Sequence, residues 1–145
     1  MSLIAVDVGN SRIKLGIFNA DADGTGQVPE PTQTLELEHG WRPESLETWL
    51  QSIDGEKPRH RTWLVASVCE SAALKLEACI VVYRPDDKIK KIKHADLDLR
   101  VEVAHPERVG IDRLAGAVAA NRLRDPSRPA VVVDLGTAIT VDLVA

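Results

Sequence analysis

Val6-Asp7-Val8-Gly9-Asn10-Ser11, at the head of the chain, and Val133-Asp134-Leu135-Gly136-Thr137-Ala138, close to its last residue, are two versions of one phrase. Each puts an Asp, a Gly and a polar side chain at the end of an apolar run. A second apolar run follows each time, Ile13 to Phe18 after the first and Ile139 to Val144 after the second. Strand, Gly-containing turn and strand together predict a β-hairpin. Two acidic glycine hairpins in one chain predict two related units facing a shared cleft, an arrangement suited to gripping a phosphate tail.

Between the hairpins the pattern changes period. Residues 19–31 are rich in Gly, Asp and Pro and read as a mobile loop. Thr32 to Leu37 alternates and predicts a third strand. Arg42 to Ile53 carries Leu46, Trp49, Leu50 and Ile53 at helical spacing. Thr62 to Val68 reads as a buried strand, Glu70 to Ala78 as a helix, Ile80 to Tyr83 as a brief apolar run, and Leu97 to Val103 as an alternating edge strand. Val109 to Leu123 is the clearest helix: Ile111, Leu114, Ala115 and Val118 form its apolar stripe, bounded by Pro106 and Pro126. Ala130 to Asp134 then reads as an apolar strand that needs a sheet around it. The order predicts an α/β fold, a mixed sheet with helices packed on it.

Composition narrows the function. The chain has 145 residues and a net charge of −4, which argues against a nucleic-acid partner or a polybasic membrane contact. No apolar stretch approaches the roughly 18 residues of a membrane helix, and no signal peptide is evident. The Lys88 to Lys93 run reads as a solvated edge strand or loop. Cys69 and Cys79 form neither a CxxC pair nor a disulfide framework, as expected of a reduced, cytoplasmic protein. The histidines are scattered singly and suggest no metal cage.

Three segments carry candidate chemistry. In the first hairpin, Gly9 lets backbone N–H groups approach an anion, Asn10 and Ser11 add donors, and Lys14 supplies a point charge. Asp7 is placed to hold a divalent cation through water. A plain hairpin with a solvated Asp and Lys is the competing reading; the second copy, with Asp134 ending an apolar strand where an unpaired buried charge is costly, tips the balance towards phosphate. In Gly110-Ile111-Asp112-Arg113, Gly110 clears the entrance to a helix whose first turn favours a carboxylate at Asp112. That carboxylate is suited to orient or deprotonate a substrate hydroxyl, and Arg113 to grip a substrate carboxylate. A helix start with a dipole-friendly Asp and a solvated Arg is the alternative. Ala115, Gly116 and Ala119 form a small-residue face that permits close packing.

Together these segments resemble the type III pantothenate kinases, of the acetate and sugar kinase, Hsp70 and actin superfamily. The family's first motif is similar to DxGN[ST]xxK, matched by Asp7, Gly9, Asn10, Ser11 and Lys14. The second resembles PxxVGxDRxA, matched by Pro106, Val109, Gly110, Asp112, Arg113 and Ala115, with Asn121 further along. The third resembles DxGTAxTxD, matched by Asp134, Gly136, Thr137, Ala138, Thr140 and Asp142. Val103 stands where the family commonly has Tyr, three residues before the motif's Pro.

The resemblance implies ATP-dependent phosphorylation of pantothenate to 4'-phosphopantothenate, the first step of coenzyme A biosynthesis, with magnesium and a monovalent cation, potassium or ammonium. It implies that Asp7, Val8, Gly9, Asn10, Ser11, Arg12, Ile13, Lys14 and Thr137 contact ATP. Gly110, Ile111, Asp112 and Arg113 would hold pantothenate, with Asp112 the catalytic proton acceptor, and Asp134 would bind the monovalent cation. It implies a ribonuclease H-like (actin-like ATPase) domain over residues 1–126, then at 127–145 the opening hairpin of a second similar domain, so that the chain is the N-terminal part of such an enzyme. The bare second hairpin predicts a homodimer. A non-catalytic regulatory or interaction module of the same family is the alternative, and a superfamily kinase for another small hydroxylated substrate a third reading.

Overall fold

A computed structural model describes residues 2–19, 29–38, 40–54, 60–136 and 138–145. Most of the predicted 19–31 loop therefore lies outside the described residues. Strands β1 (Ser2–Val8) and β2 (Arg12–Asn19) form the first hairpin, and β3 (Gln33–Glu38) extends it. Helix α1 (Pro43–Asp54) leads to β4 (Thr62–Ser67), and α2 (Glu70–Tyr83) to β5 (Lys88–Lys91). A long connection with two single 3-10 turns, His94–Asp96 and Pro106–Arg108, leads to α3 (Ile111–Leu123). Strands β6 (Ala130–Leu135) and β7 (Ile139–Val144) end the chain.

The five-stranded sheet has the order β3-β2-β1-β4-β5, with β1–β2 and β2–β3 antiparallel and β1–β4 and β4–β5 parallel. Strand β2 alone runs against the rest. Alternation along the strands divides the two faces. Ile4, Val6 and Val8 of β1, Ile13, Leu15 and Ile17 of β2, Leu37 of β3, and Trp63 and Val65 of β4 form one dry layer. Leu46, Trp49 and Leu50 of α1 and Ala73, Leu76 and Ile80 of α2 close over it. The opposite face carries Asp7 and Lys14, directly cross-strand, and meets α3, which packs against β4, β6 and β7.

Two expectations are corrected. Ile80 to Tyr83 is the last turn of α2: no breaker separates it from the helix before Pro85, Ile80 continues the buried stripe, and the Arg84 N–H closes the end on the Ile80 carbonyl at 2.7 Å. Leu97 to Val103 is not a strand. Its side chains do alternate, with Leu97, Leu99 and Val101 half-buried and Asp98, Arg100 and Glu102 exposed, but it pairs with no strand. The lysine run does form an edge strand, β5, with Lys90 on Asp96 (3.3 Å) and Lys91 on Glu77 (2.9 Å). As the bare second hairpin predicted, β6 and β7 pair only with each other among the described residues. Val131, Val133, Leu135, Ile139, Val141 and Leu143 are exposed along one face of that ribbon.

An ionic network that no local pattern announces locks the far end of the sheet. Asp54, ending α1, pairs with both Arg61 and Arg84. Asp87 accepts bonds from Trp63 Nε1 (2.8 Å), the Arg61 N–H (3.0 Å) and Arg84 Nε (3.1 Å). These four charged side chains are buried. Asp87→Ala takes one carboxylate from the buried Arg84 guanidinium and removes the acceptor of the Trp63 indole N–H and of the Arg61 main-chain N–H, and should cost about 3–5 kcal/mol. Urea unfolding followed by circular dichroism measures it, and a loss below about 1 kcal/mol would mean the network is energetically idle.

Candidate active site

The first hairpin presents its polar residues at the end of β1. Register pairs Asp7 with Lys14 on one side and with Ala66 of β4 on the other, so Asp7 stands mid-sheet on the α3 face. Asn10, Ser11, Arg12 and Lys14 are exposed, whereas the side chains of Val8 and Ile13 are sealed in the core and leave only main chain for a ligand. The Gly9 N–H is spent inside the turn, on the Arg12 carbonyl at 2.9 Å. A Cβ on Gly9 would lie 3.3 Å from that same oxygen, so the glycine is there for the closeness of the turn itself. Arg12 reaches sideways to Glu36 Oε1 (2.7 Å) across the exposed surface of β3.

The tip of α3 is built around one carboxylate. Gly110 is the N-cap and offers no side-chain cap. Asp112 folds back over it: a Cβ on Gly110 would come within 2.3 Å of Asp112 Oδ1 and 3.3 Å of Val68 Cγ1. Asp112 Oδ1 accepts the Arg113 N–H at 2.8 Å. No described residue bonds to Oδ2. Ile111 and Leu114 are buried and seat the helix, but Ala115 is exposed, so the predicted stripe is narrower than its spacing suggested. Val103 is exposed.

The second hairpin approaches the same helix. Gly116 lies near Val132, whose Cγ1 would be 3.9 Å from an added Cβ, so the small-residue face of α3 receives β6. Register places Asp134 beside Thr140 and Val132 beside Asp142, so Asp134, Thr140 and Asp142 share one face of the ribbon. Asp134 is exposed rather than buried, which removes the desolvation argument made for it from sequence; β6 is half-bare and gives it no apolar wall. The two copies of the phrase also turn differently. Val8 pairs with Ile13, but Leu135 pairs with Ile139, and the Gly136 N–H bonds to the Ala138 carbonyl (3.1 Å), so the second turn is one residue shorter. Thr137 lies outside the described residues.

Asp142, given no role from sequence, is the partner of Arg113: Nε meets Oδ2 at 3.0 Å, and Nη2 bonds to Oδ1. This bond, first among its causes, raises the Arg113 pKa further above its usual value. The final Asp of the third motif, beside the Arg of the second, was the only sequence sign of the pair.

Three motifs distant in sequence thus converge. Burial, the largest cause, pushes the Asp7 carboxyl above its usual 3.8; Lys14 opposes this, and the charges of Asp112 and Asp134 push it further up. Among the described residues where the motifs meet, Lys14 and Arg113 stand against Asp7, Asp112, Asp134 and Asp142, an excess of negative charge. No three acidic, His or Cys residues among those described lie close enough to hold a metal ion unaided.

A family profile described as type III pantothenate kinase matches residues 3–145. Relatives so named include proteins of Rhodopirellula baltica, 29% identical with 100% of this chain and 58% of the relative covered, and of Thermus thermophilus, 29% identical with 98% and 54% covered. One of Paramagnetospirillum magneticum is 30% identical, again with 98% and 54% covered. The chain spans about half the length of these curated relatives.

The folded chain holds the Asp7 proton more tightly than the unfolded chain does. Stability therefore falls as pH rises from 3.8 through the raised value, and the loss is complete above it. Asp7→Asn removes that loss and should raise Tm at neutral pH by a few degrees, on the order of 2–8 °C. The gain should shrink as pH drops towards 3.8. Calorimetric scans across that range check the sign; a variant less stable than wild type at pH near 7 would show that Asp7 is a net stabiliser.

Proposed function

The chain belongs to the type III pantothenate kinase family, and we propose that it supplies the cleft in which ATP phosphorylates pantothenate to 4'-phosphopantothenate, towards coenzyme A. The observation that carries this reading is the electrostatic meeting of Asp7, Asp112 and Asp134. Phosphoryl transfer needs alignment and neutralisation of charge more than covalent chemistry. Lys14 and the main chain around residues 8–13 face the phosphate tail of ATP, with Thr137 contacting the nucleotide from the second hairpin. Gly110, Ile111 and Arg113 hold pantothenate, the buried Ile111 through its main chain. Asp112 Oδ2 orients its hydroxyl. As the hydroxyl oxygen bonds to the γ-phosphorus and the bond to ADP breaks, the hydroxyl proton passes to Oδ2 and then to solvent.

Cations fit this cleft. Both substrates are anions, and the cleft is itself acidic, so binding them without added positive charge is unfavourable. Asp7 is the residue to hold magnesium through water, and Asp134 the residue for potassium or ammonium. Bound there, the ions would neutralise phosphate charge, with phosphate oxygens and water completing their shells. The strand order and the single reversed strand β2 support a ribonuclease H-like domain over residues 1–126, with residues 127–145 opening a second unit. The bare face of β6–β7 supports a homodimer. Free Cys69 and Cys79 favour a cytoplasmic setting.

Asp112→Asn should lower kcat about 10²–10⁴-fold in a coupled ADP-release assay while leaving the calorimetric affinity for magnesium-ATP nearly unchanged. Turnover equal to wild type would remove Asp112 from its role. Sedimentation equilibrium should give twice the monomer mass, and a monomer at high concentration would count against the dimer. The same bare face favours the second reading, a non-catalytic interaction module. Calorimetric silence towards ATP, magnesium and potassium would support it.

A further inference from the structure

The pairing of Arg113 with Asp142 joins α3, which carries Asp112, to the ribbon that carries Asp134. Both side chains are partly buried, 33% and 23% exposed, and neither has another ion-pair partner among the described residues. A guanidinium is a rigid planar fork with two edges that match a carboxylate. Asp142 occupies the edge formed by Nε and Nη2. Only the edge formed by Nη1 and the second Nη2 hydrogen is left to meet a ligand.

We propose that Asp142 is a positioning residue: it fixes which edge of Arg113 faces the cleft and so sets the direction from which the carboxylate of the substrate is gripped. This rests on the reading of Arg113 as a pantothenate contact. Three features hold Asp142 in place. Its cross-strand partner is Val132, which packs against Gly116 of α3. Its ribbon neighbour Val144 is buried, anchoring β7 on the helix side. Arg113 itself leaves from the first turn of α3, beside the N–H that Asp112 accepts. Without Asp142, a long side chain with several rotatable bonds would sweep the cleft or fold onto the neighbouring acids. With it, the pair is neutral overall. A substrate carboxylate is then recognised by aligned N–H groups more than by unbalanced charge.

The test uses the isosteric change Asp142→Asn, with Asp142→Glu as the conservative rescue, on the full chain. Pantothenate and magnesium-ATP are titrated calorimetrically, and the Arg113 Nε–H signal, identified by its loss in Arg113→Lys, is followed by NMR. In Asp142→Asn the pantothenate Kd should rise about tenfold, magnesium-ATP binding should hold, and Nε–H exchange should quicken. Asp142→Glu should recover part of the affinity. A purely structural role would weaken both ligands together, and that result overturns the proposal, as does unchanged pantothenate affinity or unchanged Nε–H exchange. Should Asp142→Asn unfold, Asp142→Glu decides: a selectively altered pantothenate Kd supports the role, and a wild-type Kd overturns it. A wild-type chain that ignores pantothenate refutes the functional reading instead, and the exchange rate in Asp142→Asn then decides the positioning role alone.

Discussion

The register of β1 is the constraint on which everything else rests. Its hydrogen bonds to β2 and β4 fix Ile4, Val6 and Val8 on the face covered by α1 and α2, and so force Asp7 onto the other. A slip of one residue would drive a carboxylate into a dry layer and expose three aliphatic side chains. Each core contact of β1 therefore also aims Asp7. The same rungs bring Lys14 beside it, the nearest compensation for a charge that burial disfavours.

From Asp7 the site is assembled by packing of small residues. The carboxylate of Asp112 occupies space that any side chain at Gly110 would need, and Val68 presses on the same point. The β6–β7 ribbon lies against α3 beside Gly116, and Asp134 is within electrostatic range of Asp7. Among the described residues, none of the three acids is held by a dedicated cation. Lys14 faces Asp7 across a rung and Arg113 is engaged by Asp142, so the acidic balance of the cleft is a built property of the resting chain.

Much of this was legible in the order of residues. The hairpin of β1 and β2, the amphipathic α1 and the boundaries of α3 follow from periodicity and from Pro and Gly punctuation, and the structure moves them by a residue or two. What was hidden has physical causes. Ile80 to Tyr83 is β-branched enough to look strand-like, yet it continues a helix because the buried stripe through Ala73, Leu76 and Ile80 outweighs local preference. Leu97 to Val103 alternates without a strand to pair with, and alternation alone cannot supply one. Asp54, Arg61, Arg84 and Asp87 come from different elements, so no local pattern links them. For the site, sequence singled out Asp7, Asp112 and Asp134, but not the exposure of Asp134, the shorter second turn or the engagement of Arg113 by Asp142.

The two faces of the central sheet also divide the molecule by tolerance to change. The layer beneath α1 and α2 contains aliphatic and indole groups and none of the acids, so exchanges of similar volume that keep the register of β1 should leave the chemistry in place. The α3 face has less slack, because Gly110 and the cross-strand rung of Asp7 each serve placement as well as packing. An evolving or engineered lineage can therefore gain robustness on one side of a single sheet while its chemistry stays fixed on the other.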